Sequence, residues 1–164
     1  MLGPADPQWS AALRGGVLAG GLLGAVLLFV AEFTTLYTVS STTSSTPFES
    51  VSTGSHDAYA LIPIAVVAGA LAYGASVRGS RPALLALGVL GIATLLIALV
   101  GDLPDARATG TIGSSSTHFS SAAASPKVGL YLETVGAIAL VITSGCGLLL
   151  GSPGPARQRP ASES

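Results

Sequence analysis

The chain has 164 residues, of which 49% are hydrophobic and 9% are charged, and its formal net charge is −1. Soluble domains carry about 25% charged residues, so this composition excludes an ordinary water-exposed globule. The seven Lys and Arg residues form no basic cluster, which argues against nucleic-acid binding, and a single cysteine excludes an internal disulfide.

The first predicted membrane span covers about residues 15–37, after a short cytoplasmic segment at residues 1–14. A helix needs about 20 mostly apolar residues to cross a bilayer. This run exceeds the apolar core of a signal peptide, so we expect the mature protein to keep it. Gly16, Gly20 and Gly24 recur every four residues, which predicts a close helix-packing face. That face points either to another helix of the chain or to a second copy.

A Ser/Thr-rich loop follows at about residues 38–58. Its segments YTVSSTT and ESVST favour strands, so a short β-hairpin is one expectation for this loop. His56 and Asp57 lie in it, and His118 lies in the second loop. These three are weak candidates for a divalent metal site, but their spacing does not require one, and we assign no metal.

Three further apolar runs predict spans at about residues 59–77, 83–101 and 128–150. Pro82 and Pro126 precede the last two, where a helix start tolerates proline. The expected fold is an all-α membrane protein: a single four-helix bundle over residues 15–151 with two Ser/Thr-rich extracytoplasmic loops. Residues 152–164 are predicted to be a disordered cytoplasmic tail.

The orientation follows from the basic residues, which favour the cytoplasmic side of short loops. One side of the predicted topology holds five of them, and the other holds only Arg107 and Lys127; the five are Arg14, Arg78, Arg81, Arg157 and Arg159. We therefore expect a multi-pass protein of the cell membrane with both termini in the cytoplasm.

Acidic residues crowd the outer ends of these spans, in particular Glu32, Asp102 and Glu133. Helical periodicity places Asp102 and Glu133 above stripes of small residues, so both are predicted to face the bundle interior. Under one interpretation the three acids form a cation or proton site, because acids within a span are costly and usually functional. Under the other they lie in the wet interface, near helix ends, where the cost is small.

The two halves of the chain also align weakly, at an offset of about seventy residues. Each half reads as an apolar helix, an acid, a Ser/Thr loop with one Phe, and a Tyr at the start of the returning helix. In this alignment Glu32 matches Asp102. A duplication would relate the halves by an axis along the membrane normal; chance alignment of apolar and Ser-rich runs is the alternative.

Four segments carry a resemblance: AEFTTLY, RGSRPALLAL, LIALVGDLPDA and YLETVGAIAL. With them the chain resembles small, uncharacterised four-span membrane proteins of high-GC actinobacteria, and the resemblance covers most of the chain but implies no activity. It is similar to claudins in topology alone. The paired cysteines and tryptophan-containing signature of the claudin outer loop are missing, and the one tryptophan is Trp9.

No hydrolase, phosphate-binding, zinc-protease or dinucleotide motif occurs, so we predict neither an enzyme nor a cofactor. The leading expectation is a non-enzymatic structural or interaction protein, or an accessory subunit. Its partners would be the lipid bilayer, other membrane proteins, or a second copy through the first helix. The alternative is a small transport or cation- or proton-sensing protein that uses Glu32, Asp102 and Glu133.

Overall fold

The computed structural model describes residues 7–41, 47–53, 59–112 and 120–150. It contains four long helices, each long and apolar enough to cross a membrane. They are α1 (Pro7–Ala31), α2 (Leu61–Arg78), α3 (Arg81–Asp105) and α4 (Val128–Leu150). Helix α3 is α-helical to Leu96, becomes a π-helix over Ile97–Asp102 and ends in one α-helical turn, Leu103–Asp105.

The helices form a ring in which α1 and α3 each pack against α2 and α4. Consecutive helices are therefore neighbours, although only α2 and α3 are joined by a short turn. Gly79 ends α2 with φ of 61°, in the left-handed region that glycine adopts without strain. Ser80 then caps α3 by accepting a hydrogen bond from the Ala83 N–H at 3.4 Å. These two residues explain why α2 and α3 are joined so tightly.

Large leucines surrounded by alanines fill the centre of the bundle. Leu28, Leu87 and Leu140 are fully buried, and four small residues pack around them: Ala25, Ala65, Ala68 and Ala72. The outward faces of the same helices carry exposed valine, leucine, isoleucine and phenylalanine side chains. The interior thus combines small residues with a few leucines, while many of the largest apolar side chains point outwards.

One end of the bundle carries a four-stranded antiparallel sheet, and we call it the sheet end. The strands are β1 (Thr35–Ser41), β2 (Pro47–Ser52), β3 (Thr109–Ile112) and β4 (Ser120–Pro126), in the order β2-β1-β4-β3. The hairpin expected in the first loop is present, with Tyr37 opposite Val51 and Val39 opposite Glu49. The β3–β4 hairpin was not expected from the sequence, and the β1–β4 pairing joins the two loops into one sheet.

This strand order does not have the symmetry that the weak sequence repeat predicts. Under a duplication β1 would correspond to β3, and β2 to β4. An axis relating the halves would then pair two equivalent strands at the centre of the sheet. The observed central pair is β1 with β4, which are not equivalent, so the sheet contradicts the predicted two-fold relation between the halves.

The predicted limits of the first span are wrong at its end. Helix α1 stops at Ala31, and residues 32–37 form a turn and the start of β1. The Thr34 hydroxyl donates to the Ala31 carbonyl at 2.8 Å and so satisfies one of the last helical acceptors. The β-branched and aromatic residues that follow suit a strand better than a helix, and they pair with both β2 and β4.

Candidate functional site

Glu32, Asp102 and Glu133 all lie inside the bundle at the sheet end. Each of the three side chains has an exposed fraction of 1% or less. The bundle and the sheet therefore shield all three side chains from solvent. Removing a carboxylate from water costs several kcal/mol unless hydrogen bonds or an opposite charge compensate it, so each acid requires a structural or functional explanation.

Glu32 has a structural explanation. Helix α2 follows Ala60, a residue whose side chain cannot cap the helix. The Leu61 N–H instead donates to Oε1 of Glu32 at 3.3 Å, so a carboxyl group at the end of α1 caps the start of α2. Helix N-termini favour negative charge because their first N–H groups have no partner in the helix. Glu32 therefore joins two neighbouring helices at the sheet end.

Asp102 is positioned by the π-helical segment of α3. The Leu103 N–H donates to the Ala98 carbonyl, five residues back, which defines the wider turn. In a regular α-helix, residues four apart drift by about 40° around the axis. The wider turn changes that drift between Ala98 and Asp102, and Ala98, Asp102 and Ala106 are all buried. Segments of this kind are frequent at functional sites.

Glu133 lies one turn into α4, on the buried face that also carries Leu130, Ala137 and Leu140. The sequence predicted this face correctly. Farther along α4, Gly91 of α3 lies against Leu140 and the Ala137 carbonyl. Along the helices, Glu133 is fewer residues from this contact than Asp102 is, so Glu133 lies deeper in the bundle than Asp102.

The three acids do not form a metal site. Over residues 7–41, 47–53, 59–112 and 120–150, no group of three or more His, Cys, Asp or Glu side chains could hold a metal ion. The weak candidates His56, Asp57 and His118 lie outside the described residues. Arg107 and Lys127, the basic residues predicted near the acids, are both exposed at the sheet end.

The acids lie beside an apolar cluster at the base of the sheet. Leu36 of β1, Ala98 of α3 and Leu130 of α4 pack together there. Ala98 and Leu130 are one turn from Asp102 and Glu133 along their own helices. The packed leucines of the bundle centre follow beyond this cluster. The carboxyl groups therefore lie at one end of an interior that elsewhere contains apolar side chains and a few hydroxyls, such as those of Thr94 and Ser144.

The glycines of α1 divide into two groups. A side chain at Gly20 would meet the Thr143 hydroxyl, and one at Gly24 would meet Leu140 at 2.7 Å and the Gly136 carbonyl at 3.0 Å. Both glycines thus let α1 approach α4 within the same chain. Gly16 has no atom within 4 Å of the position that a Cβ would occupy, so it does not serve this contact.

Two features of the structure were missed by the sequence analysis. The Ser144 hydroxyl of α4 donates to the Leu84 carbonyl of α3 at 2.7 Å, a buried hydrogen bond between helices. A groove of about 300 Å³ also lies on the sheet; its lining residues are Tyr37, Val39, Asp105, Ala108, Thr109, Gly110, Ala122 and Ala124. The sequence signal for the hydrogen bond was a serine on the predicted buried face of α4. No sequence signal indicated the groove, because the groove depends on strand pairing between distant loops.

Neither Cys146 nor the exposed acid Asp105 lies in the bundle interior. Cys146 is exposed on α4, which differs from the packing role that its small size suggests. Asp105 ends α3 and is exposed. Among the acids at the sheet end whose side chains the structure describes, Glu32, Asp102 and Glu133 lie in the bundle interior and Asp105 does not.

No protein-family model matches this chain, and no curated protein or solved structure matches it.

Proposed function

We propose that the chain is an integral protein of a bacterial cell membrane, with four spans and both termini in the cytoplasm. Its role is non-enzymatic: a structural or interaction protein, or an accessory subunit, that presents the sheet outside the membrane. One observation carries this proposal, namely the distribution of apolar and polar side chains between the outside and the inside of the bundle.

The outside of the helices is unsuited to water. Val66, Val89 and Val100 are 64%, 67% and 70% exposed, and large apolar side chains cover much of the remaining helix surface. Burying apolar area stabilises a protein by about 25 cal/mol per Å², so a soluble chain would not leave so many such side chains outside. Acids and hydroxyls lie inside instead. Lipid around the bundle accounts for both observations.

The basic residues support the proposed orientation. Arg14, Arg78 and Arg81 are exposed, and the turn between α2 and α3 that carries the last two lies at the end opposite the sheet. Cytoplasmic loops are enriched in Lys and Arg. The sheet end would then face the exterior, with the acids just below it.

Dense packing favours an interaction role over transport through the bundle. Leu28, Leu87 and Leu140 fill the interior between the acids and the opposite end. Gly24 and Gly91 bring α1 and α3 into direct contact with α4 at this level. An ion that passed through the bundle would have to displace this core.

Membrane fractionation and tag accessibility test the proposal. We expect the chain to remain in the membrane pellet after a carbonate wash and to need detergent for release. Tags on either terminus should resist protease in intact spheroplasts and become accessible after lysis. A chain released without detergent, or a terminal tag digested in intact spheroplasts, would contradict the proposal.

The burial of Glu133 supports a second candidate, a proton- or cation-sensing role for the acids. A carboxyl group within a span is a functional candidate because its burial is costly, and Glu133 has no exposed surface. Glu133→Gln should then abolish a proton- or cation-dependent response of the protein in reconstituted vesicles. Asp105→Asn is the matched control, because Asp105 is an exposed acid at the same end. Equal responses from the two variants would exclude this role for Glu133.

A further inference from the structure

We propose that the sheets of neighbouring copies join edge to edge in the membrane, with β3 of one copy pairing antiparallel with β2 of the next. The inference rests on the proposed membrane topology. It names the partner in the proposed interaction role as a second copy of this chain, and the contact surface as the two edges of the sheet.

The first argument for this pairing is the direction of the two edge strands. Strands β1 and β3 leave the helices α1 and α3, whereas β2 and β4 return to α2 and α4. In the order β2-β1-β4-β3, the two edge strands β2 and β3 therefore run in opposite directions. Copies in one membrane share one orientation, so β3 beside β2 of another copy continues the antiparallel alternation. When the strands run along the membrane normal, β3 beside β3, or β2 beside β2, would be parallel.

The second argument is that each edge strand directs backbone N–H and C=O groups outwards. The Ala124 N–H donates to the Ala108 carbonyl at 2.9 Å, so Ala108 and Gly110 direct their backbone groups towards β4. By the alternation of antiparallel ladders, Thr109 directs its N–H and C=O to the outer edge. The Lys127 N–H donates to the Leu36 carbonyl. By the same alternation, Thr38 directs its backbone groups towards β4. Its partner Ser50 therefore directs its own N–H and C=O to the outer edge of β2.

The side chains at these positions do not oppose pairing. Exposed sheet edges usually carry charges or proline that prevent association. Thr109 and Ser50 are small, uncharged and exposed. The charged residue of β2, Glu49, directs its backbone to the ladder with β1. The proline of β2 is its first residue, Pro47, so the edge available for pairing is the part of the strand after it. Within the described part of the chain, neither β2 nor β3 has a strand on its second side.

Disulfide cross-linking in membranes tests the pairing, in a Cys146→Ser background that leaves only introduced thiols. A chain with both Thr109→Cys and Ser50→Cys should give a ladder of dimers, trimers and larger products on mild oxidation. Thr109→Cys alone and Ser50→Cys alone should give at least tenfold less dimer. Mixed single variants should give dimers that contain one of each. Within one chain the two positions lie three strand spacings apart, about 14 Å, which is beyond the reach of a disulfide.

The controls separate this inference from the topology on which it rests. Thr109→Cys with Val51→Cys should not form the ladder, because the backbone of Val51 pairs with β1. Dimers from Thr109→Cys alone that equal the yield of the double variant would overturn the pairing, as would absence of the ladder from correctly inserted protein. Labelling of both thiols by an impermeant reagent in intact cells verifies insertion; if it fails, the proposed topology is wrong instead.

A proline variant provides a second measurement that needs no cysteine. Thr109→Pro removes an N–H at the outer edge and leaves the ladder with β4 intact. We expect the purified protein in mild detergent to shift from assemblies to monomers by light scattering, with its helical circular dichroism unchanged. An unchanged assembly size for Thr109→Pro, or a wild-type protein that is only monomeric in the membrane and in detergent, would contradict the inference.

Discussion

The two ends of the bundle bury different kinds of side chain. At the end opposite the sheet, Val17, Ala75 and Leu84 pack together, and the nearby arginines remain exposed. At the sheet end, three carboxyl groups occupy the interior. The first end packs apolar side chains around the small Ala75, as is typical where helices approach closely. At the sheet end, the buried carboxyl groups lower the stability of the fold, which indicates a specific role for that end.

The strongest test of this comparison is overpacking of the close contact between α1 and α4. Gly24→Leu forces a side chain into Leu140 and the Gly136 carbonyl. We expect it to destabilise the protein by about 3 kcal/mol, since overpacking commonly costs 1–3 kcal/mol and sometimes more. Reversible unfolding in mixed micelles with increasing SDS measures the change.

The matched control is Gly16→Leu, because Gly16 lies about two turns before Gly24 on α1 and has open space around it. Its unfolding midpoint should remain that of the wild type. Similar losses in both variants would mean that helix propensity or insertion, rather than the contact with α4, determines the effect of Gly24→Leu.

Glu32→Ala provides an intermediate effect at the sheet end. It removes the carboxylate that accepts from the Leu61 N–H, and loss of a helix cap typically costs about 1 kcal/mol. Glu32→Gln retains an acceptor oxygen and should lose less. The same micelle titration ranks the variants, and hydrogen exchange should show faster exchange at the start of α2 in Glu32→Ala. A larger loss for Gln than for Ala would argue against the capping role.

Ser144→Ala should give the smallest effect. It removes the hydrogen bond between α4 and the Leu84 carbonyl of α3, and such bonds between membrane helices average about 0.6 kcal/mol. Ser76→Ala is the control, because the Ser76 hydroxyl donates within its own helix, to the Tyr73 carbonyl. Equal shifts in the two unfolding curves would show that the bond between helices adds no stability of its own.

The sequence predicted the helices because apolar length is a strong and local signal. It placed α4 at the residues where the structure has it, and it predicted the buried face with Glu133, Ala137 and Leu140 correctly. It failed at the end of α1, where apolar residues continue into β1. Hydropathy does not distinguish a helix from a strand in such a run; the partners β2 and β4 decide it.

The environment of the acids was less predictable than their positions. Periodicity indicated an inward face for Asp102 and Glu133, and both are buried. Two other features were missed: the cap that Glu32 provides to α2, which joins residues far apart in sequence, and the π-helical turn that carries Asp102, which lies within one helix. No local pattern in the sequence encodes either feature. The second hairpin was missed because β4 is largely serine and alanine, which have little preference for strands.

The pairing of β1 with β4, Tyr37 opposite Pro126 and Val39 opposite Ala124, sets an order of events during synthesis. A ribosome releases β1 long before β4, so the first hairpin has one side unpaired while α2 and α3 are synthesised. Contacts between residues so distant in sequence form slowly, since the entropy of closing the intervening loop must be overcome first. Chains that stall before residue 120 would therefore lack β4 and leave that side of β1 unpaired.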